Sequence, residues 1–174
     1  MRAAVLFDNL GPYHLARLRA ACNVADVMAV QFGATSADYR WAGGDLNLQV
    51  RTLNSKGTSW AMPRSVFKTR LAEVLGEGKP DVVFTPGWAT PGALLALEWC
   101  LENRVPAVVM SESTAWDSPR RWARECIKGV VLAQASAAFV GGGPQRDYVL
   151  QLGMPRERVF SGYNIVDNDY FERE

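Results

Sequence analysis

Apolar residues follow two alternating patterns along this chain. Short continuous apolar runs, typical of strands buried on both faces of a sheet, occur at 2–7, 26–32, 81–85, 106–110, 135–140 and 157–161. Between them, apolar residues recur at three- and four-residue spacing, which predicts helices over 12–23, 63–76, 91–103, 119–134 and 144–153. Pro12, Pro63 and Pro119 suit the first turn of a helix, and Gly76 and Gly78 predict the end of the second one.

Strands that alternate with helices predict an α/β fold, a Rossmann-like three-layer domain with a mainly parallel sheet. We assign residues 1–161 to this domain and residues 162–174 to an interdomain linker segment. Between loops at 33–44 and 54–59, the alternation of Leu46, Leu48 and Val50 with polar residues predicts one half-exposed strand.

Composition narrows the class of protein. The 174 residues carry a net charge of +1, without the basic field that nucleic-acid binding requires. Asp8 ends the first apolar run too early for a secretion signal, and no later run is long enough to span a bilayer. Three widely spaced cysteines, Cys22, Cys100 and Cys126, show no metal-ligand spacing and are interpreted as reduced core thiols on helices. We expect a cytoplasmic protein without a metal site.

Ligands of open parallel sheets bind beyond the carboxyl ends of the strands. We therefore expect the loops after Phe7, Thr85, Met110 and Val140 to gather on one edge. The candidate residues of this cleft are Asn9, Gly11, Pro12, Tyr13, His14, Trp88, Glu112, Ser113, Thr114, Asp117, Arg120, Gly141 and Gly142.

Two aromatic candidates have alternative interpretations. His14 is either a partly exposed surface residue or a neutral imidazole that hydrogen-bonds a hydroxyl, since a helix N-terminus lowers the pKa of a histidine. Trp88 either stacks on a sugar ring or covers the core. The glycines at 141–143 allow close approach of a ligand or of another domain's backbone.

The densest polar stretch, residues 111–121, lies between a predicted strand and helix. Glu112 is a candidate base, and with Asp117 it can accept hydrogen bonds from acceptor hydroxyls; alternatively, Asp117 or Ser118 only caps the helix that Pro119 opens. The arginine cluster of Arg120, Arg121 and Arg124 on the first helical turns is interpreted as a solvated face, with a membrane surface or an anionic acceptor as alternatives.

Nearly the whole chain resembles the N-terminal domain of retaining, family-4-type glycosyltransferases of GT-B fold. The resemblance rests on a strand with a glycine turn at 138–142, a helix ending in Leu-Gly-Met-Pro at 152–155, a strand at 157–160 and the Asn-Ile-Val-Asp-Asn-Asp-Tyr-Phe segment at 164–171. The Ser-Glu-Ser-Thr run at 111–114, with Asp117, is similar to a subgroup of these enzymes. Because many relatives carry a histidine in this loop, the resemblance assigns no catalytic histidine, and the catalytic candidates stay Glu112 and His14.

The resemblance implies that this half binds a carbohydrate or other hydroxyl acceptor for hexose transfer in carbohydrate biosynthesis. It also implies that a nucleotide-sugar donor is bound by a separate C-terminal domain, so this half has no cofactor and its partner is that domain. The alternative is a stand-alone flavodoxin-like binding module without catalysis. An oxidoreductase is disfavoured because the Gly-X-Gly-X-X-Gly pattern does not follow the first strand.

Overall fold

The computed structural model describes residues 1–35, 50–166, 168 and 172. Its strands are β1 (Arg2–Phe7), β2 (Asp26–Gly33), β3 (Val50–Asn54), β4 (Val82–Pro86), β5 (Ala107–Ser111), β6 (Ala137–Val140) and β7 (Val159–Ser161). Its helices are α1 (Pro12–Cys22), α2 (Arg64–Gly78), α3 (Pro91–Asn103), α4 (Trp122–Leu132) and α5 (Gly143–Gln151), with short 3₁₀ turns at Ser59–Ala61 and Arg156–Arg158. From β3 to β7, strands and helices alternate as the hydrophobic pattern predicts.

The strands form a seven-stranded sheet in the order β3-β2-β1-β4-β5-β6-β7. β1 pairs with β2, β2 with β3, β4 with β5, β5 with β6 and β6 with β7, and each of these pairings is parallel. The predicted Rossmann-like α/β class is therefore confirmed.

The chain divides into two compact units, Met1–Asp81 with Ile165–Glu174, and Val82–Asn164. The division at Asp81 and Val82 falls inside the range 1–161 that the sequence analysis assigns to one domain, an assignment that stays a prediction.

The core of the first unit lies between the strands β1 to β3 and the helices α1 and α2. Its fully buried side chains include Leu6, Leu18, Val30, Leu71 and Leu75. The Phe32 and Phe67 rings meet edge to face, with centroids 5.0 Å apart. A strand and a helix of this unit are thus joined by the interaction geometry that aromatic quadrupoles favour.

The second unit builds its core from β4 to β6 and the helices that follow them. Val83, Val109, Val140, Leu132 and Val149 are fully buried. At Gly129 the backbone of α4 comes close to the end of α5, because a Cβ placed there would lie 3.0 Å from the carbonyl oxygen of Leu152. The absence of a side chain at Gly129 therefore allows α4 to pack closely against the end of α5.

One predicted helix end is confirmed and one predicted helix start is wrong. The last residue of α2 is Gly78, the second of the two glycines expected to end it, and Lys79 follows in the left-handed conformation. α4 begins at Trp122 and not at Pro119, with Arg121 extended at φ −119° and ψ 120°. Arg120 is held outside the helix because its guanidinium donates to Gln151 at 2.7 Å and to Glu125 at 2.9 Å.

Other boundaries shift by a few residues. Ser111 belongs to β5 and not to the loop, and β6 and β7 begin two residues later than predicted, at Ala137 and Val159. β3 begins at Val50 and runs to Asn54, C-terminal to the predicted alternation. Leu46, Leu48, loop positions 36–44 and linker positions 167, 169–171, 173 and 174 lie outside the described residues.

The cysteine interpretation is correct only for Cys100. All three cysteines are free and lie on helices, but Cys22 and Cys126 are exposed and are not core thiols. Burial raises the pKa of the Cys100 thiol to about 12. Among the described helices, none is both long and apolar enough to cross a bilayer.

Substitutions at two of the helical glycines, Gly76 and Gly129, should affect stability in opposite directions. At Gly76, an added Cβ meets nothing within 4 Å, so Gly76→Ala should raise the free energy of unfolding by about 0.5–1 kcal/mol. At Gly129, an added Cβ would force the Leu152 carbonyl to move, so Gly129→Ala should lower the free energy of unfolding by about 1 kcal/mol. Urea unfolding measures both changes, and equal stabilisation by the two substitutions would contradict the close packing of α4.

Candidate functional site

In the first unit, the backbone after β1 is fixed by hydrogen bonds to the end of β2. The Gly33 N–H donates to the Asp8 carbonyl at 3.0 Å, and the Asn9 side-chain amide donates to the Gly33 carbonyl at 3.1 Å. The Leu10 N–H donates to Gln31 Oε1 at 3.3 Å. Burial raises the pKa of the Asp8 carboxyl. Asn9, a candidate ligand residue, therefore has a structural role in holding this turn.

His14 lies in the first turn of α1 with one ring nitrogen already engaged. The Gly11 N–H donates to His14 Nδ1 at 2.9 Å, and Gly11 is the N-cap residue before Pro12. Nδ1 is therefore the acceptor nitrogen, and a neutral ring carries its proton on Nε2. The ring also packs against Phe7, with centroids 4.5 Å apart. Tyr13 and Pro12 flank it, both partly buried.

The imidazole of His14 is neutral at pH 7. Burial, and secondly the positive charge of Arg17, lower its pKa to about 4. The expected direction of the shift is thus found, but burial is its main cause, whereas the sequence analysis invoked the helix N-terminus. A neutral imidazole with a protonated Nε2 can donate a hydrogen bond to a ligand oxygen.

In the second unit, three of the candidate loops leave neighbouring parallel strands. Pro86 of β4 is in register with Met110 of β5, and Ser111 of β5 with Val140 of β6. The loops beginning at Gly87, Glu112 and Gly141 consequently lie along the same sheet edge, as predicted. That the loop after β1, in the other unit, completes this edge stays a prediction.

Trp88 belongs to the core and not to an open stacking surface. Its side chain is only 6% exposed, and its ring centroid is 6.4 Å from that of buried Tyr148. Gly87, at φ +76°, makes the turn that directs the chain back after β4. Of the two interpretations from the sequence, the structure favours a tryptophan that covers the core.

Ser111 joins the loops that follow β5 and β6. Its side chain is buried, and its Oγ accepts the Ser113 N–H at 3.1 Å. Its carbonyl accepts the Gly141 N–H at 3.3 Å. Glu112, between the two serines, is exposed, and no described residue forms a hydrogen bond or ion pair with its carboxylate. The anchored backbone thus presents a carboxylate to solvent at the sheet edge.

Asp117 closes its own loop and does not cap a helix. Its Oδ2 accepts the Thr114 N–H at 2.7 Å, and its other oxygen accepts the Thr114 hydroxyl. These hydrogen bonds, the side-chain one first, lower the pKa of the Asp117 carboxyl. The suggested capping role of Asp117 or Ser118 is wrong because α4 begins later, after Arg121.

The sequence analysis did not identify a polar cluster beneath α4, formed by Glu125, Lys128 and Tyr148. Lys128 Nζ donates to Tyr148 Oη at 2.6 Å and to Glu125 at 2.9 Å, and Tyr148 Oη donates to Glu125 at 3.0 Å. The hydrogen bond from Lys128 lowers the pKa of Glu125, and the bond to Tyr148 raises the pKa of Lys128. Only the three-residue spacing of Glu125 and Lys128 was visible in the sequence. Arg120 extends this cluster through Glu125, while its side chain stays exposed to solvent as the sequence analysis expected.

The glycine turn after β6 is approached by side chains of the chain itself. A Cβ at Gly141 would lie 3.3 Å from Asn164 Cβ and 3.5 Å from Gln145 Cδ, and Gly142 is the N-cap residue of α5. The neighbours of Gly141 are thus side chains of the second unit, and the approach of a ligand or of another domain's backbone stays a prediction. Among the described residues, no group of three or more His, Cys, Asp and Glu side chains is placed to hold a metal ion.

The chain is similar in fold to several solved structures. They include UDP-GlcNAc 2-epimerase from Neisseria meningitidis bound to UDP-GlcNAc (14% identity, TM-score 0.62, covering 92% of this chain and 46% of that one). MnaA from S. aureus with UDP gives 17% identity and a TM-score of 0.64, covering 96% and 48%. The apo form of the lipopolysaccharide outer core galactosyltransferase WaaB gives 12% identity and a TM-score of 0.61, covering 91% and 44%. The chain thus spans less than half the length of these proteins.

Sequence comparison identifies the family. No curated protein matches the chain in sequence. Residues 12–161 match a family described as the glycosyl transferase 4-like domain, a range that contains β2 to β7 and all five described helices. The family resemblance inferred from the motifs is therefore confirmed, and the chain belongs to the glycosyl transferase 4-like domain family.

Proposed function

We propose that this chain is the acceptor-binding half of a nucleotide-sugar-dependent glycosyltransferase that transfers a hexose to a hydroxyl with retention of configuration. Family membership supports the transferase class. The observation that carries the acceptor role is Glu112, an exposed carboxylate held at the carboxyl edge of parallel strands by the hydrogen bonds of Ser111. Ligands of open α/β sheets bind at this edge.

In this proposal Glu112 binds the acceptor hydroxyl and accepts its proton as the hydroxyl oxygen bonds to the anomeric carbon of the donor sugar. The bond from that carbon to the diphosphate oxygen breaks, and the nucleotide diphosphate leaves. A carboxylate without a partner among the described residues is free to accept such a hydrogen bond. Ser113 and Thr114 lie beside it and add hydroxyl groups to the same loop.

His14 contributes a hydrogen-bond donor in the first unit. Because Nδ1 accepts from Gly11, Nε2–H remains to donate to a sugar hydroxyl or to a donor phosphate oxygen. A neutral ring suits this role, since the imidazole needs no proton from solvent to remain a donor.

The nucleotide sugar is bound, in the same proposal, by a second domain, and this half needs no cofactor or metal of its own. The limited coverage of the solved structures, 44–48% of their lengths, is compatible with a two-domain protein. Free Cys22, Cys100 and Cys126 fit a reducing compartment, so we place the reaction in the cytoplasm.

Glu112→Gln should lower the rate of sugar transfer about 100-fold or more, because the amide cannot take up the acceptor proton. Transfer is measured with the protein encoded by the complete reading frame, screened over UDP-hexoses and hydroxyl acceptors, and the anomeric configuration of the product is read by NMR. Glu157→Gln is the matched control, since Glu157 is equally exposed and lies in the 3₁₀ turn before β7.

Three outcomes would contradict the proposal. Glu112→Gln with unchanged turnover would remove the residue from the reaction. Sugar transfer by the 174 residues alone would remove the need for a second domain. Conversion of UDP-GlcNAc into its C2 epimer without an acceptor would indicate the chemistry named for the Neisseria meningitidis structure, rather than transfer.

The stability of the chain should fall as the pH decreases from about 6.5 to about 4. In this window the unfolded chain binds a proton at His14 that the folded chain excludes, because burial lowers the pKa of His14 from 6.5 to about 4. The loss should be on the order of 2 kcal/mol, reduced by partial exposure of the ring.

His14→Asn should flatten this pH dependence, because an asparagine oxygen can still accept the Gly11 N–H but does not titrate. Asp8→Asn serves as the control of opposite sign: a carboxyl with a raised pKa takes up its proton earlier in the folded chain, so it opposes the loss. Urea unfolding across the pH range measures each curve. An unchanged slope in His14→Asn would show that the ring is not the titrating group.

A further inference from the structure

Trp60 is an exposed tryptophan that follows a strand of the first unit. It lies in the 3₁₀ turn Ser59–Ala61, within the segment that joins β3 to α2. Trp60 is 63% exposed, whereas Trp88, in the loop after β4, is 6% exposed and belongs to the core. The indole of Trp60 therefore covers no core residue closely and presents its ring to solvent.

The turn that carries Trp60 packs directly on the end of β2. A Cβ at Gly33 would lie 2.6 Å from the Ser59 nitrogen and 2.8 Å from the Gly57 carbonyl oxygen. This close approach of two backbones requires a residue without a side chain at position 33. The sheet thus supports the turn from below.

Hydrogen bonds of Asn54, the last residue of β3, fix the same turn. Its Nδ2 donates to the Thr58 carbonyl at 2.8 Å, and its Oδ1 accepts the Lys56 N–H at 3.3 Å. Its own carbonyl accepts the Ala34 N–H at 2.9 Å, and the Thr58 carbonyl also accepts the Ala61 N–H at 3.2 Å. The indole is thus carried by a backbone that is ordered before a ligand binds, which lowers the entropic cost of binding.

The turn lies at the same sheet edge as His14. β1, β2 and β3 are parallel neighbours, so their carboxyl ends share one edge, and the His14 ring packs on Phe7 at the end of β1. Neighbouring strands are about 4.8 Å apart, so the ends of β1 and β3 are separated by about 10 Å, a distance that a disaccharide can span. Ligands of open parallel sheets bind at this edge.

The residues before Trp60 are polar. Positions 54–59 read Asn-Ser-Lys-Gly-Thr-Ser, without an apolar side chain. Surfaces that bind proteins or bilayers present contiguous apolar area, which this segment does not provide. One aromatic face beside hydroxyl groups instead matches a sugar ring, which is apolar on its C–H face and hydroxylated at its rim.

We propose that the hydroxyl acceptor is a saccharide and that one of its pyranose rings stacks on the indole of Trp60. This inference rests on the proposed function and names the class of its acceptor. The face of an indole is electrostatically negative, so it attracts the C–H groups of the sugar, which carry partial positive charge. The Nε2–H of His14 then donates to a hydroxyl of the neighbouring sugar.

An NMR titration of the isotope-labelled 174-residue chain tests the subsite without a donor. The probes are maltose, cellobiose and lactose, and the control compound is sorbitol, which has hydroxyls but no ring. We expect at least one disaccharide to shift the indole N–H resonance of Trp60 in a saturable way, and sorbitol to leave it in place. The loss of this resonance in Trp60→Ala assigns it.

Variants of Trp60 separate the aromatic ring from the fold. Trp60→Ala should weaken disaccharide binding about tenfold or more, and Trp60→Phe should retain most of the affinity, because phenylalanine also offers an aromatic face. Trp122→Ala is the matched control, since Trp122 is 82% exposed but lies on α4 in the second unit. Both side chains are exposed, so all three variants should keep the melting temperature of the parent chain.

Transfer by the protein encoded by the complete reading frame gives the second readout. Trp60→Ala should raise the KM for a saccharide acceptor about tenfold and leave kcat nearly unchanged, because stacking stabilises the bound acceptor and the transition state equally. Transfer with an unchanged acceptor KM would overturn the subsite and leave the transferase proposal standing. Disaccharide binding that Trp60→Ala abolishes, without any transfer, would support the subsite and contradict the transferase.

Three other results would also overturn the subsite. The first is an unshifted Trp60 resonance with all three disaccharides. The second is an equal loss of affinity in Trp60→Ala and Trp122→Ala. The third is a dimer in sedimentation velocity that Trp60→Ala dissociates while no disaccharide binds.

Discussion

The hydrogen bonds of Ser111 connect the sheet to the candidate site. A strand ending inside a parallel sheet needs partners for its last polar groups, and Ser111 meets that need at the loops that leave β5 and β6. Its Oγ accepts the Ser113 N–H, and its carbonyl accepts the Gly141 N–H. Because the residue is buried, these bonds form away from water and fix the backbone on both sides of Glu112. Glu112 is thus placed by backbone hydrogen bonding, without a partner for its own carboxylate.

Most of the fold was predictable because each strand is a short apolar run and each helix has an amphipathic spacing. Both are local properties of the sequence. Where a local signal misleads or leaves two interpretations open, contacts between residues distant in sequence decide the outcome. Pro119 is a good helix start, yet α4 begins later because Arg120 bonds to Gln151 and Glu125. Trp88 follows a strand at the ligand edge, yet it packs near Tyr148, sixty residues further along the chain. No spacing rule predicts such pairs.

The candidate site was predictable in position and less so in the roles of its residues. Topology alone placed the loops after β4, β5 and β6 along one edge. Asn9 and Asp117 were chosen as ligand groups, but Asn9 donates to the end of β2 and Asp117 accepts hydrogen bonds from its own loop. The sequence shows that a loop contains polar side chains; which of them are already satisfied depends on the backbone geometry. The lowered pKa of His14 was expected from its position near a helix N-terminus. Its main cause, burial of the imidazole ring, depends on the folded structure and could not be inferred from the sequence.

The cluster beneath α4 explains why that helix has an apolar outer face. Burial of the polar groups of Glu125, Lys128 and Tyr148 costs little free energy only when these groups hydrogen-bond to one another. Because Glu125 and Lys128 are hydrogen-bonded in this cluster, these two charged residues do not line the solvent side of the helix, where charged residues ordinarily lie. The exposed side then carries Trp122, Ile127 and Val130, a composition that would be unfavourable in water unless another surface covers it. The loop that carries Glu112 leads directly into this helix, and the Thr114–Asp117 hydrogen bonds close that loop. In this way one segment, from Ser111 to Leu132, connects the edge of the sheet at Glu112 to the helix that carries the polar cluster.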